Sequence, residues 1–405
     1  MSDIAASHGV LNGVRVVELC HLIAGPYCGQ LLADEGADVV KIEPPQGEAT
    51  RHREPIRHAE EGSVSGYYAA LNRRKRSVVL DLKSKAGIDT LHCLLETADV
   101  FTTNMRPQAL DRLGIHPHTI RERYPRLVVA VMTGFGIENT GEDGNRAGLA
   151  MVAEALAGTN SLTRDREGRA TWVGFAMGDV LTGMTAHAAI LLALRHQDRT
   201  GEGRLIDCSL TESTLPMTAV ALSRAQFVDP AVAAQTGNQD LHGIPYGTFE
   251  AADGAFNIGV NNDVMWARLC RAMGRDELAE DKRYAKFLER ATRRQEVVDL
   301  VESWSRTLPR EQVIEAILAQ DVPTAPVLTL NEVLESKHFA AREAFVEVDD
   351  GLGGTIRLPT DPTGFAIAAP ARVPRVGEQR DEVLHELGLS DEEIAALASD
   401  GAFGA

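Results

Sequence analysis

No two cysteines in this chain stand at a CxxC spacing, and none of the five (Cys20, Cys28, Cys93, Cys208, Cys270) has a histidine at zinc-site spacing. All five fall in apolar, helix-like or strand-like surroundings. Buried free thiols are therefore expected, rather than a disulfide framework or a zinc site. A basic surplus is also missing. With 41 Lys and Arg against 58 Asp and Glu, the formal charge is −17, which disfavours a nucleic-acid face or an anionic-membrane face. The opening MSDIAASHGVLNG has no charged stretch leading into an apolar one, and no unbroken apolar run approaches a bilayer span. A cytoplasmic location among reduced thiols is the expectation. The turn CHLIAGP lacks GxGxxG, so a nicotinamide or flavin site there is disfavoured.

What is present is the composition of a large folded chain: 405 residues, 44% hydrophobic and 24% charged, enough for two to three domains. Val14 to Glu18, Ala37 to Ile42, Ser77 to Leu82, Asp99 to Thr103 and Leu127 to Thr133 read as strands. Helices at Gly25 to Glu35, Ala86 to Ala98 and Gln108 to Leu113 lie between them. This alternation predicts an α/β fold with a mainly parallel, doubly wound sheet. Its ligand belongs beyond the strand C-terminal ends, in LIAGP, EPPQGEATR, LKSK and NMRP. The pattern changes after Pro216. A hairpin over Tyr246 to Asn261 turns at Asp253-Gly254, followed by helices Val264 to Met273, Arg294 to Thr307 and Arg310 to Ala319. The expected domains are 1–220 (large α/β), 221–330 (smaller α+β) and 331–405, which returns with a helix over Asn331 to Phe345 and a hairpin around GLGG over Phe345 to Leu358.

The stretch from Trp172 to Gln197 predicts a mostly buried helix of about five turns from Val180 on, with Asp179 at its mouth. Two readings of Asp179 follow from the same physics. It caps the helix by accepting amide hydrogen bonds, the default for an aspartate at that place. Alternatively, the amides and partial positive charge of the helix end hold it ionised as a nucleophile. Periodicity does not choose between them.

Six strings do bear on the choice: GVRVVELCHLIAGPYCGQLLADEGADVVKIEPPQGEATR, LNRRKRSVVLDLKSKAG, ADVFTTNMRPQALDRLG, GDVLTGM, PYGTFEAADG and GEQRDEVLHELGL. In this order they resemble the class III CoA-transferases, the CaiB/BaiF group of the formyl-CoA transferase and α-methylacyl-CoA racemase superfamily. The resemblance implies a Rossmann-like large domain built from both chain ends, a smaller middle domain and an interlocked homodimer. It implies that Asp179, before Thr182-Gly183, is the covalent nucleophile, moving CoA from an acyl-CoA donor to a carboxylic acid acceptor. Acyl-CoA and acid are then the substrates, with no metal and no permanently bound cofactor. The CoA-contacting positions carried over are Ile23, Ala24, Leu80, Lys83, Asn104, Met105, Arg106 and Arg112. Tyr67 matches a position lining the acyl pocket, and Arg51 ranks below it. The Arg73 to Arg76 tetrad begins a strand or pairs with acidic surface.

A racemase or isomerase of the same superfamily is the alternative, and a catalytically silent CoA-binding relative is a third reading. The position matching the racemase histidine is Leu149, and that of a supporting glutamate is Asn262, neither of which takes a proton. Acyl transfer is therefore favoured, although His187 and His242 exist elsewhere. In place of the tetraglycine flap of formyl-CoA transferases the chain has GNQDLHGIPYG, where Gly237, Gly243 and Gly247 supply mobility. Oxalate and formate are therefore not the first expectation. The resemblance leaves dicarboxylates, hydroxy acids, carnitine-like acids and aromatic acids open.

Overall fold

The computed structural model describes residues 9–60, 62–137, 146–165, 167–227, 239–240, 243–367 and 369–404. Gly237 and His242 lie outside the described residues. In chain order the first elements are β1 (Arg15–Leu19), α1 (Ala24–Asp34), β2 (Asp38–Glu43), β3 (Ile56–Ala59), β4 (Gly62–Ser65), α2 (Gly66–Asn72), β5 (Arg76–Val79) and α3 (Lys85–Glu96). They are followed by β6 (Val100–Thr103), α4 (Pro107–Arg112), α5 (Pro117–Arg123), β7 (Val128–Thr133), α6 (Ala150–Leu156), α7 (Thr159–Leu162), α8 (Met177–Thr200) and β8 (Leu205–Ser209).

Six of these strands form one parallel sheet in the order β5-β2-β1-β6-β7-β8. Runs such as VVEL and VVAVMT are buried on both faces, as strands of a covered parallel sheet must be. Successive residues serve opposite layers. Val16 packs with Leu32 and Ile190 beside α1 and α8, whereas Val17 packs with Leu91, Leu94 and Ile120 beside α3 and α5. The chain leaves β1 first toward β2 and later returns to its other side as β6. The topological switch point therefore lies at the C-terminal ends of β1 and β6.

Contacts divide the chain into two compact units, one within Met1–Ala157, Gly174–Met217 and His338–Ala405, the other within Gly158–Val173 and Thr218–Lys337. The first unit holds the parallel sheet. It also carries the β3–β4 hairpin and a small sheet from its C-terminal part. In the second unit β9 (Tyr246–Glu250), β10 (Ala255–Gly259) and β11 (Thr324–Pro326) form an antiparallel sheet over buried Trp266, Phe249 and Phe256. The small sheet of the first unit comprises β12 (Phe345–Asp349), β13 (Thr355–Pro359) and β14 (Ala371–Arg372).

The structure corrects several readings. The helix expected over Asn331 to Phe345 is two short ones, Leu330–Leu334 and Lys337–Ala341. Thr329 and Glu332 form a capping box on the first, and Phe345 is drawn into β12 by pairing with β13. Cys93 is exposed on α3, while the other four cysteines are buried. Burial pushes the Cys20 thiol up to about 12 and that of Cys208 to about 11, so neither is a ready nucleophile. By length and by a mean hydropathy of 1.4, α8 would suit a bilayer, yet its Ala186, Ile190 and Leu194 pack into the sheet's core.

Candidate active site

Asp179 is placed by the way α8 meets α1. A Cβ at Gly183 would stand 2.8 Å from the carbonyl oxygen of Ala24, so glycine there lets α8 lie against the first turn of α1. Asp179 is the third helical residue. The N-cap is Ala176, whose side chain caps nothing, so the expected capping aspartate is not found at the cap. Its task falls to Glu154 of α6, fully buried, whose Oε1 accepts the Gly178 N–H at 2.8 Å. Among the described residues the Asp179 carboxylate accepts no hydrogen bond. Burial, then the negative charge of Glu154, pushes its pKa up to about 6. At pH 7 roughly ten such carboxylates are ionised for each protonated one.

Half-buried Asp179 opens into a cavity of about 580 Å³ in the first unit. Its walls are His21, Leu22 and Ala24 after β1, Asn104 to Ala109 and Arg112 after β6, Met132 to Phe135 after β7, and Arg146, Gly148, Leu149 and Leu210. Asn104 ties the two loops of the switch point together. Its Oδ1 accepts the His21 N–H at 2.9 Å, and its Nδ2 donates to the His21 carbonyl at 2.6 Å. Desolvation lowers the His21 pKa, so that ring is neutral at pH 7.

Two further cavities share walls with the first. One of about 700 Å³ runs along Leu19, Ile42, Pro44, Leu80, Leu82 and Met105 to Lys83. The other, about 660 Å³, is lined by Lys83, Ser84, Lys85, Met105 and Arg112. Met105 borders all three, so they form one crevice from Asp179 to a cationic end. The crevice is apolar in the middle and basic at its rim. Lys83, Arg106 and Arg112 are exposed and without a side-chain partner among the described residues. Such a shape suits a long ligand with an apolar arm and anionic groups at one end.

The expected residues are therefore distributed unevenly. Ala24, Leu80, Lys83, Asn104, Met105, Arg106, Arg112 and Asp179 line the crevice. Ile23 is not among these lining residues; it opens α1, its carbonyl accepting the Tyr27 N–H. Tyr67 is not among them either. Its ring lies 5.7 Å from the Arg53 guanidinium, and its phenol is raised in pKa by burial and by Asp179 against the pull of Arg53. Leu149 lines the cavity of Asp179, so the place of the racemase histidine holds no base. Asn262 caps the helix Asp263–Ala272, and His187 pairs with Glu35 at 2.9 Å. Glu154, His21, Phe135 and Arg146 were missed by reasoning from sequence. The signal for His21 was its place in the turn after β1; Glu154 and Phe135 carried none.

Arg51 does not line the crevice. It forks onto Glu43, contacts the Tyr68 hydroxyl at 2.6 Å and donates to the Pro374 carbonyl. The basic tetrad is equally committed: Arg73 to Asp34, Arg74 to the Ile367 and Pro370 carbonyls, Lys75 to Glu18, and Arg76 to Asp38 and Glu386. No group of three or more His, Cys, Asp or Glu among the described residues is arranged to hold a metal ion.

Comparison with known proteins supplies the remaining observation. A family model described as CoA-transferase family III matches residues 11–380. A succinyl-CoA:mesaconate CoA-transferase of Haloarcula hispanica is 34% identical over 391 residues, 94% of this chain and 97% of that protein. A succinyl-CoA–D-citramalate CoA-transferase of Chloroflexus aurantiacus is 32% identical, over 96% of each. The crystal structure of a CaiB/BaiF family protein from Brucella suis superposes with a TM-score of 0.83 at 30% identity, covering 94% of this chain and 100% of that one.

Proposed function

The chain belongs to CoA-transferase family III, and from that premise we propose that Asp179 is the residue that carries the acyl group and then CoA. The observation behind this is a carboxylate at a helix N-terminus, bordering the crevice and bound to none of its own helix's amides. A raised pKa near 6 suits the task. The group stays mostly ionised at neutral pH, yet it is more basic and less solvated than a surface carboxylate.

An Asp179 oxygen attacks the thioester carbonyl of the donor. The C–S bond breaks, leaving a mixed anhydride and CoA thiolate. The thiolate then attacks the aspartyl carbonyl and expels the donor's acid as a carboxylate, so Asp179 now holds CoA in a thioester. The acceptor carboxylate runs both steps in reverse and leaves as the new acyl-CoA, restoring the aspartate. Asn104 holds the two loops beside the reacting carbonyl, and Lys83, Arg106 and Arg112 meet the nucleotide phosphates.

The Haloarcula and Chloroflexus transferases named above pair succinyl-CoA with a dicarboxylic acid, mesaconate or D-citramalate. We assign this chain a succinyl-CoA donor and a dicarboxylic acceptor, with Arg146 in the Asp179 cavity as the cation nearest in kind to the second carboxylate. We also assign it an interlocked homodimer, supported by the apolar stripe Met184, Ala188 and Leu192 exposed along α8, of which Leu192 is 74% exposed.

The nucleophile is tested by incubation with succinyl-CoA, quenching in hydroxylamine and intact mass spectrometry. The expected product is an aspartyl hydroxamate at Asp179, absent from Asp179→Ala. A wild-type enzyme that transfers CoA without ever giving that adduct would falsify the assignment.

A further inference from the structure

We propose that Glu154 is a positioning residue for the nucleophile: it takes the Gly178 amide, which the N-cap residue Ala176 has no side-chain acceptor to satisfy, and so helps keep the Asp179 carboxylate bare and facing the crevice. This rests on the reading of Asp179 as the acyl carrier.

The first turn of α8 shows how the capping duty is divided. The Met177 N–H reaches the Phe175 carbonyl at 2.9 Å, the Val180 N–H reaches the Ala176 carbonyl at 3.3 Å, and the Gly178 N–H reaches Glu154 at 2.8 Å. Glu154 arrives from α6, 24 residues earlier, with no exposed surface. Glycine at 178 eases the packing against Thr214 rather than against Glu154. A Cβ there would come within 3.1 Å of Thr214 Oγ1 and 3.5 Å of both the Ala150 carbonyl and Glu154 Oε1. A carboxylate in the first turn of a helix can fold back on the free amides at its start, because those donors otherwise lack a partner. With Glu154 on the Gly178 amide, Asp179 gains less by folding back.

A second consequence is electrostatic. Two carboxylates share one helix end, so ionised Glu154 makes ionisation of Asp179 harder, adding to burial. Among the described residues, the other titratable groups around Asp179 are Tyr67 of α2, itself paired with Arg53, and His21, Arg106, Arg112 and Arg146, which line the same cavity. Glu154 is the acidic member of that set. A glutamine would serve equally well as the amide's acceptor, so the charge and the hydrogen bond are separable by mutation.

The test uses two variants of the full chain, assayed for CoA transfer from succinyl-CoA across pH 5 to 9, with thermal unfolding as control. Glu154→Gln keeps the acceptor. Its kcat at pH 8 is expected within about threefold of wild type, while the acid limb of kcat/KM moves down by roughly half to one pH unit. Glu154→Met orphans the Gly178 amide, and kcat is expected to fall at least about tenfold with the donor KM within threefold. The proposal is overturned if Glu154→Gln leaves the acid limb in place, or if Glu154→Met keeps wild-type kcat. Should Glu154→Met fail to fold, the pH profile of Glu154→Gln decides alone. Failure of the underlying reading is seen separately, as absence of the hydroxamate on Asp179 in wild-type protein.

Discussion

Under the C-terminal edge of the parallel sheet, Glu18 lies between Lys41 and Lys75, all three buried; at the rim of the crevice, Lys83, Arg106 and Arg112 are exposed with no side-chain partner among the described residues. In the buried group each ammonium donates to Glu18 and to at least one further acceptor. Lys41 donates to Glu18 at 2.9 Å and to the Cys20 carbonyl at 2.8 Å. Lys75 donates to Glu18, to the Pro26 carbonyl and to Asn72. A Cβ on Gly29 would fall 1.8 Å from Glu18 Oε2, so α1 carries a glycine where it crosses the cluster. Burial works against the Lys41 ammonium, but Glu18, Glu43 and Glu48 outweigh it and hold its pKa above the ordinary value; burial draws Lys75 down to about 8 despite Glu18. The paired charges fix the loop after β1, whereas the unpaired ones are, on the proposed reading, left for a ligand. Asp179 belongs with the second kind.

The largest effects come from removing a charge of each kind. Asp179→Asn should cut kcat/KM by at least about 10⁴-fold, upward of about 5 kcal/mol in transition-state stabilisation, with the fold intact. Glu18→Gln removes the common partner of two buried ammoniums and should cost about 3–5 kcal/mol of folding stability, read by urea unfolding. Loss of activity without loss of stability at Glu18, or the converse at Asp179, would dissolve the distinction between scaffold charges and working charges.

The same distinction explains what the sequence could and could not reveal. The alternation of strands and helices through residue 133 was legible because burial on both faces leaves near-continuous apolar runs. The edge strand β8 went unread because its LIDCS is short and only partly apolar, and the β3–β4 hairpin because it is largely polar. That Asp179, Arg106 and Arg112 border one cavity was legible through local strings. Whether a basic residue was free was not, since Arg51 and Arg73 to Arg76 are bound by residues as distant as Pro374 and Glu386. Glu154 was hidden for the same reason: its meaning comes from an amide 24 residues away.

A smaller effect sharpens the comparison by asking what an unsatisfied carboxylate costs the fold. The Asp179 pKa rises from 3.8 to about 6 on folding, so the native state binds its proton more tightly than the unfolded chain. The favourable contribution is present below about pH 4 and is lost as pH rises through 6. Above that, the ionised wild type carries a penalty of about 1–3 kcal/mol after allowance for partial exposure. Asp179→Asn should therefore be more stable than wild type at pH 8 by that amount, with the gap closing toward pH 4, read as a difference in urea midpoint. Equal stability at both pH values would place Asp179 among the satisfied charges.

The rim cations set the lower end of the scale. Each is exposed and without a side-chain partner among the described residues, so its removal orphans no described group and should leave urea unfolding within about 0.5 kcal/mol of wild type. What is lost is attraction for a polyanion in high dielectric, about 1 kcal/mol per cation. Lys83→Ala, Arg106→Ala and Arg112→Ala should each raise the KM for acyl-CoA by about three- to tenfold while kcat holds. Because the rim is solvent-facing, the differences should shrink between 50 mM and 500 mM salt, as the Debye length shortens from about 14 Å to about 4 Å. The buried trio responds otherwise, since no salt enters a site with no exposed surface. A salt-insensitive KM defect at Arg106 or Arg112, or a loss of stability on its removal, would show that the rim is held by the fold and not reserved for a ligand.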